Sequence, residues 1–210
     1  MRIALFGATG FIGTGFLERS LEREEDVSAL VRDSASLAPR PHLEVIQGSI
    51  EDRASLDRVI VGADAVVSVL GPRRGDANPG DFLATSMSAI LASMAANNVE
   101  RLVTISGAAI RLPGERKGFP HNIASAAVSV MARSAYLAKR GEMDVLLASS
   151  AEWTAIRPTR VVAGEATGHP RVSLQAGDVG LSVTRGDVAQ VLWEQLRSGD
   201  FVRKAPYVSS

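Results

Sequence analysis

The residues most suggestive of chemistry are three glycines near the start of the chain, within LFGATGFIGTGF at positions 5–16. Gly7, Gly10 and Gly13 follow one another at three-residue intervals, directly after an apolar run. If the loop joins a strand to a helix, its N–H groups and the helix N-terminus would suit a pyrophosphate. A glycine-rich turn without a ligand is the alternative, but the position between strand and helix favours the phosphate site.

Each glycine of this loop has its own predicted role. Gly7 would permit the tight turn, Gly10 would let phosphates approach the backbone, and Gly13 would let the helix pack closely. The spacing is G-x-x-G-x-x-G, which differs from the G-x-G-x-x-G of many dehydrogenases.

A second candidate residue, Arg32, stands 19 residues beyond Gly13, at the end of another apolar run. Many NAD-binding proteins have an acid at such a position, where it binds the ribose 2′-hydroxyl. An acid would repel a 2′-phosphate, whereas an arginine pairs with it through two hydrogen bonds. The sequence therefore predicts a preference for NADP(H) over NAD(H). A surface arginine that pairs with Asp33 is the alternative.

These residues need elements that bring them together, and short apolar runs alternate with longer helical patterns along the chain. Runs that are apolar throughout fit parallel strands buried on both faces. Six strands are predicted, at Ile3–Phe6, Val27–Val31, Leu43–Gln47, Ala65–Leu70, Leu102–Ser106 and Trp153–Arg157, with a last strand at Ala205–Val208. Helices are predicted from the glycine loop to about Arg23, then at Ser55–Ile60, Phe82–Asn97, His121–Lys139 with Glu142–Ser149 as its continuation, and Asp187–Leu196. The predicted fold class is α/β, a single doubly wound parallel sheet (Rossmann fold).

Length and composition narrow the classes of protein. The 210 residues, 46% of them hydrophobic, suffice for one domain over 1–210, in which 159–210 would contribute to the substrate side. Lys plus Arg and Asp plus Glu each number 23, and the zero net charge gives no reason to expect nucleic acid or membrane as a partner. There is no cysteine, and the three histidines show no metal-ligand spacing, so no metal site is expected.

Further expectations concern location and single residues. No signal peptide or membrane helix is evident, so a cytoplasmic protein with a small-molecule substrate is expected, as a monomer or homodimer. Trp153 is expected in the core, and Asp187 as the N-cap of the last helix. His121 lies in a loop that could cover the substrate.

Six short motifs occur in one order along the chain: GATGFIG, LVRD, VVSVLG, LVTISG, WTAIRP and RGDVAQVL. With these motifs the chain resembles the atypical short-chain dehydrogenase/reductases over nearly its whole length. It is most similar to their small NAD(P)H-binding branch, which includes biliverdin-IXβ/flavin reductases and nitrogen-regulator-like dinucleotide sensors. The glycine motif is specific to the superfamily, whereas the other motifs are individually weak but collinear.

The resemblance implies a set of residues that bind NADP(H). The pyrophosphate would lie on Gly7, Thr9, Gly10, Phe11 and Ile12, with Gly13 completing the motif; Arg32 would hold the 2′-phosphate; Ser49 and Ile50 would flank the adenine; Leu70 and Gly71 would pass under the ribose. The family usually has Asp at position 49, so Ser49 departs from its pattern.

Three more residues are implied for the other end of the cofactor. Arg73 would reach the phosphates or the substrate mouth, Ser106 would hydrogen-bond a substrate carbonyl beside the nicotinamide, and Pro158 would position the nicotinamide. The alternatives are a solvated loop cation at Arg73, a strand-end hydroxyl at Ser106 and a strand terminator at Pro158.

Short-chain dehydrogenases usually carry Tyr-x-x-x-Lys on one helix, where the lysine lowers the pKa of the tyrosine. Here Tyr136 and Lys139 are three residues apart, and Ala135 stands where the tyrosine would be if Lys139 is the family lysine. Residues three apart still share a helix face, so Tyr136 and Lys139 could act together in catalysis. A half-buried tyrosine and a solvated lysine on an amphipathic helix are the alternative.

The broken pattern bears on the reaction. Alcohol–ketone interconversion needs a positioned acid, whereas solvent can protonate a reduced flavin or quinone. The favoured function is an NADPH-dependent oxidoreductase that transfers hydride to a conjugated acceptor such as a flavin or quinone. A non-catalytic NADP(H)-sensing protein is the first alternative, and an epimerase or dehydratase acting on a nucleotide sugar is the second.

Overall fold

Short apolar runs form the strands of the protein. A computed structural model describes residues 1–72, 79–112, 115 and 133–210. The strands in this part of the chain are β1 Arg2–Phe6, β2 Asp26–Val31, β3 Leu43–Gln47, β4 Ala65–Ser68, β5 Arg101–Ile105, β6 Glu152–Pro158, β7 Arg160–Val162, β8 Arg171–Ser173, β9 Ser182–Thr184 and β10 Tyr207–Ser209. Eight of them form one sheet in the order β3-β2-β1-β4-β5-β6-β10-β8, and β7 pairs with β9 separately.

The large sheet is parallel except at one edge. Neighbouring strands from β3 to β10 run in the same direction, and β8 alone among the described strands of this sheet runs antiparallel to its neighbour. The residues of β4 and β5 are buried throughout, as the uninterrupted apolar character of the predicted strands requires. The predicted α/β class with a doubly wound parallel sheet is confirmed.

Helices cover both faces of the sheet. Within the described residues they are α1 Phe11–Leu21, α2 Arg53–Ile60, α3 Pro79–Ala96, α4 Arg133–Ala148 and α5 Arg185–Ser198. Phe16 of α1 and Leu192 of α5 share one apolar cluster, whereas Leu56 of α2, Ile90 of α3 and Leu146 of α4 share the other. None of the helices in the described ranges combines the length and apolarity of a membrane span.

The strand order changes direction at β1, which lies between β2 and β4. In doubly wound sheets the loops on either side of such a point lead away from each other and leave a crevice at the carboxyl ends of the strands. The glycine loop follows β1 and therefore opens onto this crevice.

The C-terminal part holds the elements that the sequence did not predict. β7, β8 and β9 are three residues each, too short to leave a periodic signal. The last predicted strand is present as β10, and Glu142–Ser149 does continue the preceding helix, because α4 runs unbroken to Ala148. The earlier part of that predicted helix lies outside the described residues. Trp153 lies in the core, 2% exposed, as predicted.

The prediction that Asp187 caps the last helix is wrong. Thr184 is the N-cap, and its hydroxyl accepts from the Asp187 N–H at 3.0 Å. Asp187 lies in the first turn, where its buried carboxylate accepts from the Thr167 N–H at 2.8 Å and the Ser210 hydroxyl at 2.6 Å. Burial raises the pKa of Asp187, but these hydrogen bonds outweigh it and hold the pKa below its ordinary value. Asp187 thus joins the segment around Thr167 to β10.

Candidate functional site

The glycine loop joins β1 to α1 as the sequence predicts. Gly7 has a φ of +89°, and a Cβ on it would lie 2.9 Å from the Val69 carbonyl oxygen. A Cβ on Gly13 would lie 1.9 Å from the Gly7 carbonyl oxygen. Atoms cannot approach so closely, so any side chain at position 13 would force α1 away from the loop. The tight turn at Gly7 and the close packing at Gly13 are confirmed.

The first turn of α1 is open to an anion. Gly10 is the N-cap in an extended conformation, and within the described part of the chain no side chain caps the helix. The first turn also contains no acidic residue. The N–H groups at a helix start have no partner inside the helix, and the helix dipole adds partial positive charge there. The backbone at 11–13 is therefore available to a phosphate.

A cleft lies beside this loop, at the carboxyl ends of β1 to β4. Six of its lining residues belong to the predicted cofactor set, and five, including Gly48 and Phe82, were not singled out from the sequence. Apolar walls with a few polar groups are typical of ligand clefts. The lining consists of Phe6, Gly7, Thr9, Leu30, Val31, Arg32, Gly48, Ile50, Leu70, Gly71 and Phe82.

Arg32 lies exposed at this cleft, directly after β2. The neighbouring Asp33 uses its carboxylate to accept from the Ala35 N–H at 3.0 Å, which starts a short 3-10 turn. The pair with Asp33 that the sequence allowed is not formed, and no other acid of the described residues pairs with Arg32. The guanidinium therefore keeps its donors for a ligand.

Ser49 and Ile50, which are predicted to flank the adenine, differ in their position. Ile50 is 8% exposed and lines the cleft. The Ser49 hydroxyl accepts from the Glu51 N–H at 3.2 Å, and the Ser49 carbonyl accepts from the Asp52 N–H. Gly48 rather than Ser49 is in the lining. An adenine contact of Ser49 stays a prediction.

Ser106 and Pro158 lie at the ends of neighbouring strands. The Ser106 N–H extends the β5–β6 pairing to the Ile156 carbonyl at 2.8 Å, and Pro158 is the buried last residue of β6. The Ser106 hydroxyl is buried, and no described residue provides it with a hydrogen-bond partner. A buried hydroxyl without a partner costs free energy, so a ligand carbonyl would satisfy it.

Lys139 lies on α4 against the carboxyl ends of β4 and β5. Its ammonium donates to the Leu70 carbonyl at 2.9 Å, the Ile105 carbonyl at 2.7 Å and the Glu142 carboxylate at 2.8 Å. An ammonium has three N–H donors, so all of them are engaged. Lys139 therefore ties α4 to the residues at the carboxyl ends of β4 and β5, and Tyr136 is not among its hydrogen-bond partners.

Glu142 is the acid of this buried pair. Burial raises the pKa of its carboxyl, while the Lys139 ammonium and the Thr104 hydroxyl act in the opposite direction. The Thr104 hydroxyl lies 3.4 Å from the carboxylate and 2.8 Å from the Ser68 carbonyl. Removing one member of such a pair leaves an uncompensated buried charge, which is strongly destabilising. Opposite charges three residues apart were the sequence signal that could have revealed Glu142.

The remaining candidate residues are Tyr136, Arg73 and His121. Tyr136 is half-buried and packs against the core cluster of the α2–α4 face. Its catalytic role, like that of Lys139, stays a prediction. Arg73 and His121 lie outside the described residues.

The site thus runs from an unpaired guanidinium, past an open helix start, to a buried hydroxyl along one edge of the sheet. A family model described as NAD(P)H-binding matches residues 7–199. The chain belongs to this NAD(P)H-binding family. The match begins at the first glycine of the loop and extends past α5, so of the described residues that line the cleft it includes all but Phe6.

This NAD(P)H-binding chain is similar in sequence to parts of longer proteins. It is 34% identical over 80 residues to an isoflavone reductase homolog from Zea mays. It is 28% identical over 113 residues to N-acetyl-alpha-D-glucosaminyl-diphospho-ditrans,octacis-undecaprenol 4-epimerase from Escherichia coli O157:H7. These matches correspond to 33% and 51% of this chain. The matched part spans 26% of the reductase homolog and 33% of the epimerase.

Solved structures resemble the fold over the whole chain. A short-chain dehydrogenase/reductase from Veillonella parvula, in complex with NADP, has a TM-score of 0.82 at 19% identity, covering 100% of this chain and 94% of that one. An anaerobillin reductase from Escherichia coli O157:H7 has a TM-score of 0.79 at 17% identity, covering 100% and 97%. At these identities the likeness concerns the fold.

The described residues fit an NAD(P)H molecule. The open start of α1 and the absence of a Cβ at Gly10 fit a pyrophosphate, and the apolar walls beside Ile50 fit an adenine ring. Arg32 offers a cation with unused donors beside these walls. Of the residues missed, Gly48 had a signal, a glycine directly after a strand, whereas Phe82 reaches the cleft only through the tertiary fold.

Proposed function

We propose that the protein is an NADPH-dependent reductase that transfers hydride to a conjugated acceptor such as a flavin or a quinone. The observation that carries the choice of a conjugated acceptor over a simple ketone is that all three Lys139 donors are engaged by protein acceptors. Without a free lysine beside a tyrosine, the described residues of the site offer no acid for a simple ketone. A conjugated acceptor does not need one, because water can protonate the reduced product.

Each part of the site would then have a positioning role. The loop N–H groups would bind the pyrophosphate, and Arg32 would bind the 2′-phosphate and favour NADPH over NADH. NADPH, when bound, supplies the hydride, and the one proton that completes the reduced acceptor comes from water. Residues 159–210 would contribute to the substrate side of a single domain. The similarity to an isoflavone reductase homolog and to the fold of an anaerobillin reductase supports a reductase.

The proposal is tested by following NADPH absorbance with riboflavin, a quinone and dichlorophenol-indophenol as acceptors. We expect oxidation well above the rate without protein, and slower oxidation when NADH replaces NADPH at equal concentration. Tight NADPH binding without oxidation of NADPH by any acceptor would contradict the reductase and support the second candidate, an NADP(H) sensor. The engagement of all three Lys139 donors is equally compatible with such a sensor.

Ser106 provides a prediction within this reaction. Ser106→Ala removes the buried hydroxyl that has no described partner, so kcat with a carbonyl-bearing acceptor should fall about fivefold, the value of one neutral hydrogen bond. The dissociation constant for NADPH should stay the same. Ser20→Ala is the matched control, because the Ser20 hydroxyl is also buried but donates to the Phe16 carbonyl within α1. An unchanged kcat in Ser106→Ala would exclude the hydroxyl from the reaction.

A further inference from the structure

Arg185 is the first residue of α5, yet its side chain lies across α1. A Cβ on Gly15 of α1 would lie 3.3 Å from Arg185 Cγ, 3.4 Å from Cδ and 3.5 Å from Nε. The guanidinium carbon lies 5.5 Å from the centre of the Phe11 ring. Phe11 is the first residue of α1, so the charge of Arg185 is held beside the open end of that helix.

The Arg185 guanidinium has unused donors. Several other arginines donate to protein acceptors, as Arg157 does to Glu115 at 2.8 Å and Arg101 to the Glu152 carbonyl at 2.6 Å. Across the described ranges no carboxylate or carbonyl accepts a hydrogen bond from Arg185, which instead contacts the half-exposed Phe11 ring. A guanidinium held by packing and by a ring, with no anion beside it, is prepared for one.

The position of α5 indicates which half of a dinucleotide Arg185 would meet. α5 leads into β10, which runs parallel to β6, so α5 begins at the carboxyl edge of the sheet. Val188 of α5 shares an apolar cluster with Val103 of β5 and Ile156 of β6. Arg32 stands at the other side of the glycine loop, after β2. Arg185 therefore approaches the start of α1 from the side of β5 and β6.

The geometry points to Arg185 as a ligand of the cofactor pyrophosphate, at the phosphate on the nicotinamide side. This inference rests on the proposed NADP(H) site. A pyrophosphate carries about two negative charges, whereas a helix end offers only about half a positive charge. Arg185 supplies a full charge and a fork of donors that matches phosphate oxygens. Gly15 makes room for the aliphatic part of Arg185, because a side chain there would press on it.

The test compares dissociation constants of NADPH, 2′-phospho-ADP-ribose and adenosine 2′,5′-bisphosphate by calorimetry on the whole chain. Only the first two probes contain the nicotinamide-side phosphate. Arg185→Met keeps the aliphatic stem and removes the charge, so both should bind about tenfold more weakly, and the third should bind unchanged. Arg171→Met, at an exposed arginine of β8, is the matched control and should leave all three unchanged. Arg185→Lys should lie between wild type and Arg185→Met.

Each other outcome has a definite meaning. Equal NADPH affinity in wild type and Arg185→Met would overturn the assignment. An equal loss for all three probes would overturn it too, since that would indicate a general effect of charge or folding, and melting temperatures would separate those two. If the wild type bound none of the probes, the NADP(H) site itself would be wrong and this assignment with it.

Discussion

Gly10→Val is expected to abolish NADPH binding, with a dissociation constant at least about 100-fold higher, equivalent to about 2.7 kcal/mol. The valine side chain would stand at the start of α1, where the phosphates have to reach the N–H groups. The fold should survive, because a Cβ on Gly10 would lie 3.3 Å from the Gly7 carbonyl oxygen, a contact that a small shift relieves. Calorimetric titration with NADPH measures the loss.

Gly177→Val is the matched control for this variant. A Cβ on Gly177 would have no atom beyond its chain neighbours within 4 Å, and Gly177 lies in a 3-10 turn that does not line the cleft. NADPH affinity should be unchanged there, and the melting temperatures of both variants should stay close to that of the wild type. An affinity of Gly10→Val close to that of the wild type would remove the phosphate site from the loop.

Arg32→Ala is expected to weaken NADPH binding about 50-fold, as the loss of a charge-assisted pair with the 2′-phosphate implies. Binding of NADH, which has no 2′-phosphate, should change less than about twofold. The effect should shrink as salt rises, because Arg32 is exposed and its charge is screened. Titrations with both cofactors at two ionic strengths measure the change of preference.

The control for Arg32 is Arg58→Ala. Arg58 is an exposed arginine in the last turn of α2, toward the amino edge of the sheet. It has the same charge and no place in the cleft lining, so both cofactors should bind as in the wild type. If Arg32→Ala lowered the affinity for NADH as much as for NADPH, Arg32 would act on the dinucleotide generally and would not select the 2′-phosphate.

The elements around the glycine loop were predictable because their signals are local. Apolar runs such as Val27–Val31 favour strands buried on both faces, and a glycine at position 7 supplies the positive φ that the turn needs. The order of these strands then places Arg32 and Leu70 beside the loop without any knowledge of side-chain contacts. Repeated local patterns therefore predict one half of the candidate site.

The other half depends on contacts between distant parts of the chain. Phe82 reaches the cleft from α3, and the carbonyls that bind Lys139 belong to residues 70 and 105. No spacing rule connects these positions. The prediction for Asp187 was wrong for a related reason. Thr184, three residues earlier, already caps the helix, so the Asp187 carboxylate instead accepts hydrogen bonds from Thr167 and Ser210. Polar residues with several suitable partners cannot be assigned from the sequence alone.

The ties of Lys139 limit what redesign could achieve at this edge of the sheet. Ala135→Tyr would restore the Tyr-x-x-x-Lys sequence motif that short-chain dehydrogenases usually carry. The new phenol would nevertheless meet an amine whose protons already bridge two strands and a carboxylate. Converting this protein to a ketone reductase therefore requires that the hydrogen bonds of the Lys139 ammonium to the Leu70 carbonyl, the Ile105 carbonyl and Glu142 be broken first. Other residues would then have to stabilise the strand ends.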